Sequence, residues 1–564
     1  MKAELYNTLL FMAATVAVCV TPSPCFGAQV VSSDAAHAHS VKMLPGENWW
    51  GLGSNFGREM PFTEKSEFKC DLRTDSYGNQ TQSLLVSDRG RVLYCADPVE
   101  AKISGGEICF TPGRDKPVAV ESAGHTLAEA FRHASKKFFP PPGGEPELLY
   151  FSAPQYNTWI ELTYHQNEKD VLAYAQSMLG HGLPPGIFMI DDTWQHGYGT
   201  WEFDARRFGD PKGMVDKLHD MGFKVLLWMC PFVSLDSPAY RLLEFGRSPD
   251  TCRRLPTGGF MLEAGNDRAA AVKWWNGRSA LVDLSHPNGF KWFTGELDGL
   301  CRDYGIDAFK LDNSGVGDFL GLRANDRTLD AAGLNGLYAR LALRYPGSEC
   351  RAVFGLAGQP IIVRLHDKDH SWKALQRLVP DMLAAGMSGY PFVCPDMIGG
   401  GSWSAFLPGS PFDPELFVRS AQVHALCPMM QISASPWRVL DKEHQEAFLA
   451  AVRLRQKFAP KIVELAKRAA KDGEPIMRNL EYVFPGQGYA EVRDEFMMGD
   501  TLLVAPVLEK GVSSRSVLLP PGSWVADDGT RYDGPAKVEV SVDLRCLPYF
   551  MRGNQSMLHE EERK

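Results

Sequence analysis

The chain has little of what marks metal, nucleic-acid or membrane proteins. Its twelve cysteines form no CxxC pair and no metal-ligand spacing, so no zinc site is expected. Positive charge is in deficit: 59 Lys and Arg against 68 Asp and Glu leave a formal charge of −9, which opposes attraction to a polyanion and excludes the simplest nucleic-acid binders. Long apolar runs are missing too. The best one, Thr8 to Val20, is shorter than the roughly 20 residues that cross a bilayer. It follows a short polar start containing Lys2 and precedes Pro22, Pro24 and the small residues Gly27-Ala28, the pattern of a cleaved secretory signal over 1–28. Export to a periplasm, the outside or a secretory lumen is the expectation, with no stable membrane insertion of the mature chain.

Cys19 and Cys25 would leave with that segment. Most of the rest read as small buried hydrophobes, and a disulfide from Cys70 to Cys95 or Cys109 is the pairing an exported chain would allow. Asn79-Gln-Thr81 and Asn554-Gln-Ser556 read as glycosylation acceptors in a eukaryotic host.

What is present is the composition of a globular enzyme. Hydrophobic residues at 44% and charged residues at 23% lie near the average of folded domains, and 564 residues exceed one hydrophobic core, so several domains are expected. After a polar linker over 29–44, residues 45–146 show short alternating runs between glycine and proline turns, which predicts an N-terminal antiparallel β-sandwich. The boundary is Phe138-Phe-Pro-Pro-Pro-Gly-Gly144. Over 147–455 apolar strands alternate with amphipathic helices, the signature of parallel β/α units. Eight strands are predicted, at 156–162, 186–191, 224–229, 306–312, 351–355, 360–365, 389–395 and 427–432, which makes a (β/α)8 TIM barrel. An insert over about 234–290 exceeds normal loop lengths and is expected to build part of a pocket. From 456 the pattern returns to short strands, a C-terminal β region. The fold class is therefore multidomain α/β.

Two aspartates end two of the predicted strands, Asp312 after Gly305-Ile-Asp-Ala-Phe-Lys-Leu and Asp367 after Ile361-Ile-Val-Arg-Leu-His. A retaining glycosidase needs one carboxylate to attack the anomeric carbon and a second carboxyl to protonate the leaving oxygen, about 5 Å away. A parallel barrel gathers such strand ends around one mouth. Lys310, two residues before Asp312 on the same strand face, is expected to keep it ionised and to donate to a sugar hydroxyl. Asp369 and His366 compete with Asp367 for its role, and a general acid is expected to have its pKa raised by burial or by the nucleophile. Asp191 and Asp192 end the second strand, one suited to sugar hydroxyls and the other to holding the loop. Asp396 ends the seventh and reads as pocket wall or support. Pyranose C–H faces stack on aromatic rings, so two or three of Trp159, Trp194, Trp228, Trp275 and Trp437 are expected at the mouth.

Five segments carry a family resemblance: Tyr156-Asn-Thr-Trp-Ile-Glu-Leu162, Phe188-Met-Ile-Asp-Asp-Thr-Trp-Gln195, Phe309-Lys-Leu-Asp312, Gly389-Tyr-Pro-Phe-Val-Cys-Pro-Asp-Met-Ile-Gly-Gly400 and Phe496-Met-Met-Gly-Asp-Thr-Leu-Leu-Val-Ala-Pro-Val507. Together they resemble glycoside hydrolase family 31, most closely its myogenesis-regulating branch. The resemblance implies Asp312 as nucleophile and Asp367, five residues before Trp372, as acid/base, ahead of Asp369. It implies Arg351, sixteen residues before Asp367 (367 − 351), and Trp275 of the insert as sugar contacts. Two departures stand out: Ser433 where many family α-glucosidases carry histidine, and Lys310 where they carry a bulky apolar or aromatic residue. An α-galactosidase-like preference is therefore as well implied as an α-glucosidase one. The implied partner is a small oligosaccharide or glycoside, with no cofactor and the oligomeric state open. A sugar-binding or regulatory protein on a decayed glycosidase scaffold is the alternative, against which the retention of both carboxylates weighs.

Overall fold

In the computed structural model, which describes residues 38–553 except 115, 246–258, 266–267 and 314, eight parallel strands form the centre. They are Gln155–Asn157, Ile187–Ile190, Lys224–Met229, Ala308–Leu311, Glu349–Cys350, Ile362–Arg364, Val393–Cys394 and Gln431–Ile432, hydrogen-bonded in chain order with the eighth beside the first. The ring closes through a parallel bridge from Met397 to Gln431, where the Ile398 N–H donates to the Gln431 carbonyl at 2.9 Å. The (β/α)8 expectation is met.

Two strands differ from their predicted spans. The first stops at Asn157, whose side-chain oxygen accepts from the Trp159 N–H at 2.9 Å and turns the chain into a helical turn over Trp159–Leu162. The fifth lies at Glu349–Cys350, ahead of 351–355; Val353–Phe354 leaves the barrel and pairs in parallel with Gln80 and Thr81 of the N-terminal region. Both runs are apolar enough to read as strand, and only tertiary pairing tells where they end.

Helices are placed by short polar caps. Asn167 accepts from the Asp170 N–H at the start of Glu168–Gly180, Asp210 from Gly213 at Pro211–Asp220, and Ser371 from Ala374 at Trp372–Met387. The barrel interior is polar at one level. Gln431 donates to Gln155 at 2.7 Å and to Glu349 at 3.0 Å, and Asn157 donates to Gln431 at 3.3 Å.

The N-terminal region has two sheets, as a sandwich requires. One is His39–Lys42, Glu107–Pro112, Val99–Ser104 and Phe68–Asp71; the other contains Trp49–Gly53, Gln80–Ser87, Arg91–Tyr94 and Ala119–Ser122. His39–Lys42 lies in the segment expected to be linker. Cys70 and Cys95 are buried and Cys109 is partly so, all three as free thiols, so the disulfide expectation fails. Asn79 is fully buried and cannot be a glycosylation acceptor; Asn554 and the signal segment lie outside the described residues. Past the helix Lys442–Asp472, a six-stranded sheet with its own core around Trp524, Leu503 and Phe550 forms the C-terminal region. Among the described residues no helix is long and apolar enough to cross a membrane.

Candidate active site

At the C-terminal ends of the barrel strands lies a cavity of about 370 Å³, lined by Asp191, Asp192, Lys310, Asp312, Arg351 and Asp367 together with Trp159, Tyr164, Trp228, Trp275 and Trp403. Asp312 follows the fourth strand and its N–H donates to the Met229 carbonyl at 2.9 Å. The Trp228 indole N–H donates to Asp312 Oδ2 at 3.0 Å. Asp312 Oδ1 is buried, 3.1 Å from the Arg351 Nε, yet accepts no hydrogen bond from any described residue. The Arg351 guanidinium is aligned on the Asn313 carbonyl instead, at 2.7 and 3.0 Å, and acts on Asp312 as a charge. Its other face lies 5.3 Å from the Trp275 ring.

Lys310 does not pair with Asp312. Its ammonium sits 2.6 Å from Asp191 Oδ2, and although burial opposes the charge, Asp191 together with Asp312 and Asp367 outweighs it and holds the pKa of Lys310 above the usual lysine value. Asp192 takes the loop-holding role: Thr193 N–H, Gln195, Tyr198 and Asn276 all donate to it. Burial and the Asp191 charge raise its pKa to about 6. Asn276 comes from the insert, whose three-stranded sheet Phe232–Ser234, Gly277–Leu281 and Val272–Trp274 thus delivers Trp275 to the rim.

Asp367 faces the cavity from the sixth strand's loop, and the feature that holds it is Arg364, a fully buried guanidinium inside the barrel. Arg364 Nη1 donates to Asp367 Oδ1 at 2.6 Å and to Asp396 Oδ1 at 2.9 Å, while its Nε faces Glu349 at 3.4 Å. Asp396 Oδ2 accepts from the Lys368 and Gly401 N–H groups at 2.8 and 3.0 Å. These bonds hold Asp396 at φ +99°, a conformation costly for a non-glycine residue. Two carboxylates on one cation titrate as a pair. Burial favours the neutral form of both; the positive charges of Arg364, Arg351 and Lys310 bring Asp367 down to about 2, while Asp396, with Asp367 beside it, is raised to about 7. The expectation of a raised Asp367 therefore fails; the carboxyl of the pair that is raised is Asp396.

The N-terminal region fixes this loop from outside the barrel. The Asn79 carboxamide accepts from the His366 N–H at 2.8 Å and contacts His366 Nδ1 at 2.6 Å. Gln80 donates to the backbone carbonyls of both Arg351 and Arg364. Burial lowers the His366 pKa to about 3, so that ring is neutral.

Of the other expected residues, Trp194 is not in the cavity: it is fully buried, its N–H donates to the Trp228 carbonyl at 2.8 Å, and it packs on Phe203. Asp396 lies behind the wall and supports it. Trp437 stacks on His181, 3.8 Å between centroids, away from the lining. Asp369 accepts from the Ser402 hydroxyl, and Ser433 accepts from the Ile160 N–H at 2.8 Å. Sequence reasoning passed over Arg364, Tyr164, Trp403 and the Asn79-Gln80 clamp. The signal for Arg364 was there: a charged residue inside an apolar barrel strand, three residues before Asp367.

The family model described as Glycosyl hydrolases family 31 TIM-barrel domain matches residues 155–465, and the Glycosyl hydrolase family 31 C-terminal domain matches 473–556. The chain is 32% identical over 446 residues to the myogenesis-regulating glycosidase of Mus musculus, covering 76% of this chain and 60% of that protein. It is 26% identical to an alpha-xylosidase of Emericella nidulans over 72% of this chain and 53% of that one, so it spans little more than half the length of such relatives. A GH31 alpha-xylosidase from a soil metagenome, solved with xylose, superposes with a TM-score of 0.77 at 21% identity, covering 93% of this chain and 80% of that one. A GH31 dextranase of Flavobacterium johnsoniae, solved with glucose, gives 0.75 at 20% identity over 91% and 66%.

Replacing Arg364 by Met leaves the buried Glu349 and Asp396 and the partly exposed Asp367 without their cation, and a loss of about 3–5 kcal/mol is expected. Carboxyls freed of the cation take up protons on folding, so the deficit is greatest near pH 8 and shrinks toward about pH 5. Chemical denaturation at both pH values checks this; a variant as stable as the parent, or a deficit that grows on acidification, contradicts the role.

Proposed function

The chain belongs to glycoside hydrolase family 31, and from that premise we propose that it cleaves terminal α-linked hexose from small oligosaccharides or glycosides, of α-galactoside or α-glucoside type, with net retention. The observation that carries this is the cavity that joins Asp312, one oxygen of which accepts no hydrogen bond from any described residue, to Asp367, which shares Arg364 with the proton-holding Asp396.

Asp312 Oδ1 attacks the anomeric carbon while Trp228 fixes Oδ2 and so orients the free oxygen. The C–O bond to the leaving group breaks as Asp367 delivers its proton to that oxygen, leaving a glycosyl ester on Asp312. Asp367 then takes a proton from water, which attacks the anomeric carbon from the vacated side, breaks its bond to Asp312 and releases the sugar with its original configuration. Four carboxylates line the cavity against two cations, Lys310 and Arg351. That balance favours an oxocarbenium-like transition state and disfavours an anionic sugar. Lys310, Asp191 and Arg351 offer donors and acceptors to ring hydroxyls, and the lysine in place of a bulky side chain supports the galactoside reading beside the glucoside one. Relatives named as alpha-xylosidases put α-xylosides on the same panel.

On nitrophenyl α-galactoside, α-glucoside and α-xyloside, the wild type is expected to turn over at least one, and Asp312→Asn to lose about 10³-fold or more in kcat with its fold intact. Asp367→Ala should lose far more on a disaccharide than on the nitrophenyl substrate, whose leaving group needs no proton. Near-normal turnover by Asp312→Asn, or equal losses for Asp367→Ala on both substrates, refutes the assignments.

The alkaline limb of the kcat/KM profile reports the proton held by Asp367 and Asp396. Asp396→Asn removes the negative charge that helps the pair retain it, so the limb should move to lower pH, from near 7 by about one unit or more. An unmoved limb, or a shift to higher pH, contradicts that pairing.

A further inference from the structure

One residue past Asp367 the chain buries a second cation. A lysine between two aspartates, as in Asp367-Lys368-Asp369, has the look of a solvated turn, yet Lys368 is only 5% exposed. Its ammonium lies 2.8 Å from Asp381 Oδ2, and Asp381 is fully buried in the helix Trp372–Met387. Neither side chain lines the cavity that holds Asp312 and Asp367. No step of the glycosidase reaction calls on the pair directly.

Stability does not account for it. A buried ion pair repays the desolvation of its charges only when its remaining lone pairs and protons are satisfied too, and apolar side chains of similar volume often serve as well. Asp381 Oδ1 is buried and accepts no hydrogen bond from any described residue. What the pair supplies is an anchor. The stretch from Leu365 to His370 is neither helix nor strand, so individual contacts hold it. Lys368 makes three: its N–H donates to Asp396 Oδ2 at 2.8 Å, its carbonyl accepts from the Ser402 N–H at 3.2 Å, and its ammonium meets Asp381. The first two tie the loop to another loop, the one after the seventh strand, and the third ties it to a helix. That end of the tie is fixed in turn. Arg377, one turn earlier, stands 3.6 Å from the same Asp381 oxygen and donates to the Asn55 carbonyl at 2.9 Å. Gly57 packs directly on this part of the helix, since a Cβ there would fall 2.2 Å from the Pro380 carbonyl carbon.

We propose that Lys368 and Asp381 are positioning residues for the proton donor: by pinning position 368 to the helix they fix the backbone beside Asp367, so that its carboxylate stays on Arg364 and turned to the leaving oxygen. Adjacent Cα atoms are a constant distance of about 3.8 Å apart, so a loop released at 368 releases Asp367 with it. Misplacing such a group by about 1 Å costs on the order of 10²-fold in rate. The loss falls on proton delivery and spares the nucleophile, because Asp312 has its own supports in the Trp228 indole and the Met229 carbonyl. This rests on the assignment of Asp367 as proton donor.

The test uses the full chain carrying Lys368→Met and Asp381→Asn together, which leaves no unpaired charge of this pair buried; circular dichroism and the melting temperature check its fold. Its kcat/KM is measured on the nitrophenyl α-glycoside of the accepted sugar, whose leaving group needs no proton, and on melibiose or maltose, whose leaving group does. A loss of about 30-fold or more on the disaccharide is expected, against about threefold or less on the nitrophenyl substrate. Asp381→Asn alone, which keeps an acceptor for the ammonium, is the second route if the double variant misfolds, with the same split at smaller size. Equal losses on both substrates, or no loss on either, overturn the positioning role. Asp367→Ala measured alongside separates the two readings. If it shows the split and the double variant does not, the positioning role falls and the proton donor stands; if Asp367→Ala shows no split, or the wild type hydrolyses neither substrate, both fall.

Discussion

One buried guanidinium ties the site together. Arg364 faces carboxylates delivered by three neighbouring strands: Glu349 on the fifth, Asp367 on the sixth strand's loop and Asp396 after the seventh. Taking such charges out of water costs several kcal/mol per ion, and apolar packing of the same volume would be no less stable. What the cluster provides is chemistry. With three carboxylates about one cation the group is short of positive charge, so it holds a proton into the neutral range beside the cavity. Asp396 accepts the backbone N–H groups of Lys368 and Gly401, and Gly401 in turn abuts Asp367, so the same residue that tunes the proton also shapes the loop.

The barrel does not build this site alone. Asn79 and Gln80 reach the His366 backbone and the carbonyls of Arg351 and Arg364, and the segment Val353–Phe354 leaves the barrel to pair with Gln80 and Thr81. The loops bearing the two cavity-lining charges Arg351 and Asp367 are thereby referenced to the N-terminal sheet. Asn79 and Gln80 are fully buried, and their bonds to these loops satisfy polar groups that burial would otherwise leave unpaired. The insert plays the same part on the other side, where Asn276 bonds to Asp192 and Tyr198 and so seats Trp275 over Arg351.

The barrel and the two strand-end aspartates were legible because their signals are local: short continuous apolar runs, helices capped by Asn167, Asp210 and Ser371, and an aspartate closing two of the runs. What escaped depends on tertiary pairing. Asn157 ends the first strand through a side-chain bond, Glu349 and Cys350 form the fifth only because the neighbouring strands offer partners there, and the asparagine of Asn79-Gln-Thr81 is a clamp rather than an acceptor of glycans. Trp194 and Trp228 are three-dimensional neighbours with opposite fates, one a buried prop and the other a hydrogen-bond donor to Asp312, and no spacing distinguishes them. Lys310 was placed on the right face but beside the wrong carboxylate, since Asp191 lies 119 residues away in the chain.

The central claim is that Asp312 becomes esterified to the sugar. The direct measurement is to treat the protein with the 5-fluoro α-glycosyl fluoride of the accepted sugar and map the modified peptide by mass spectrometry. A single glycosyl ester on Asp312 is the predicted result. An ester on Asp367 or any other side chain, or turnover to a product of inverted configuration with no ester, would contradict the account.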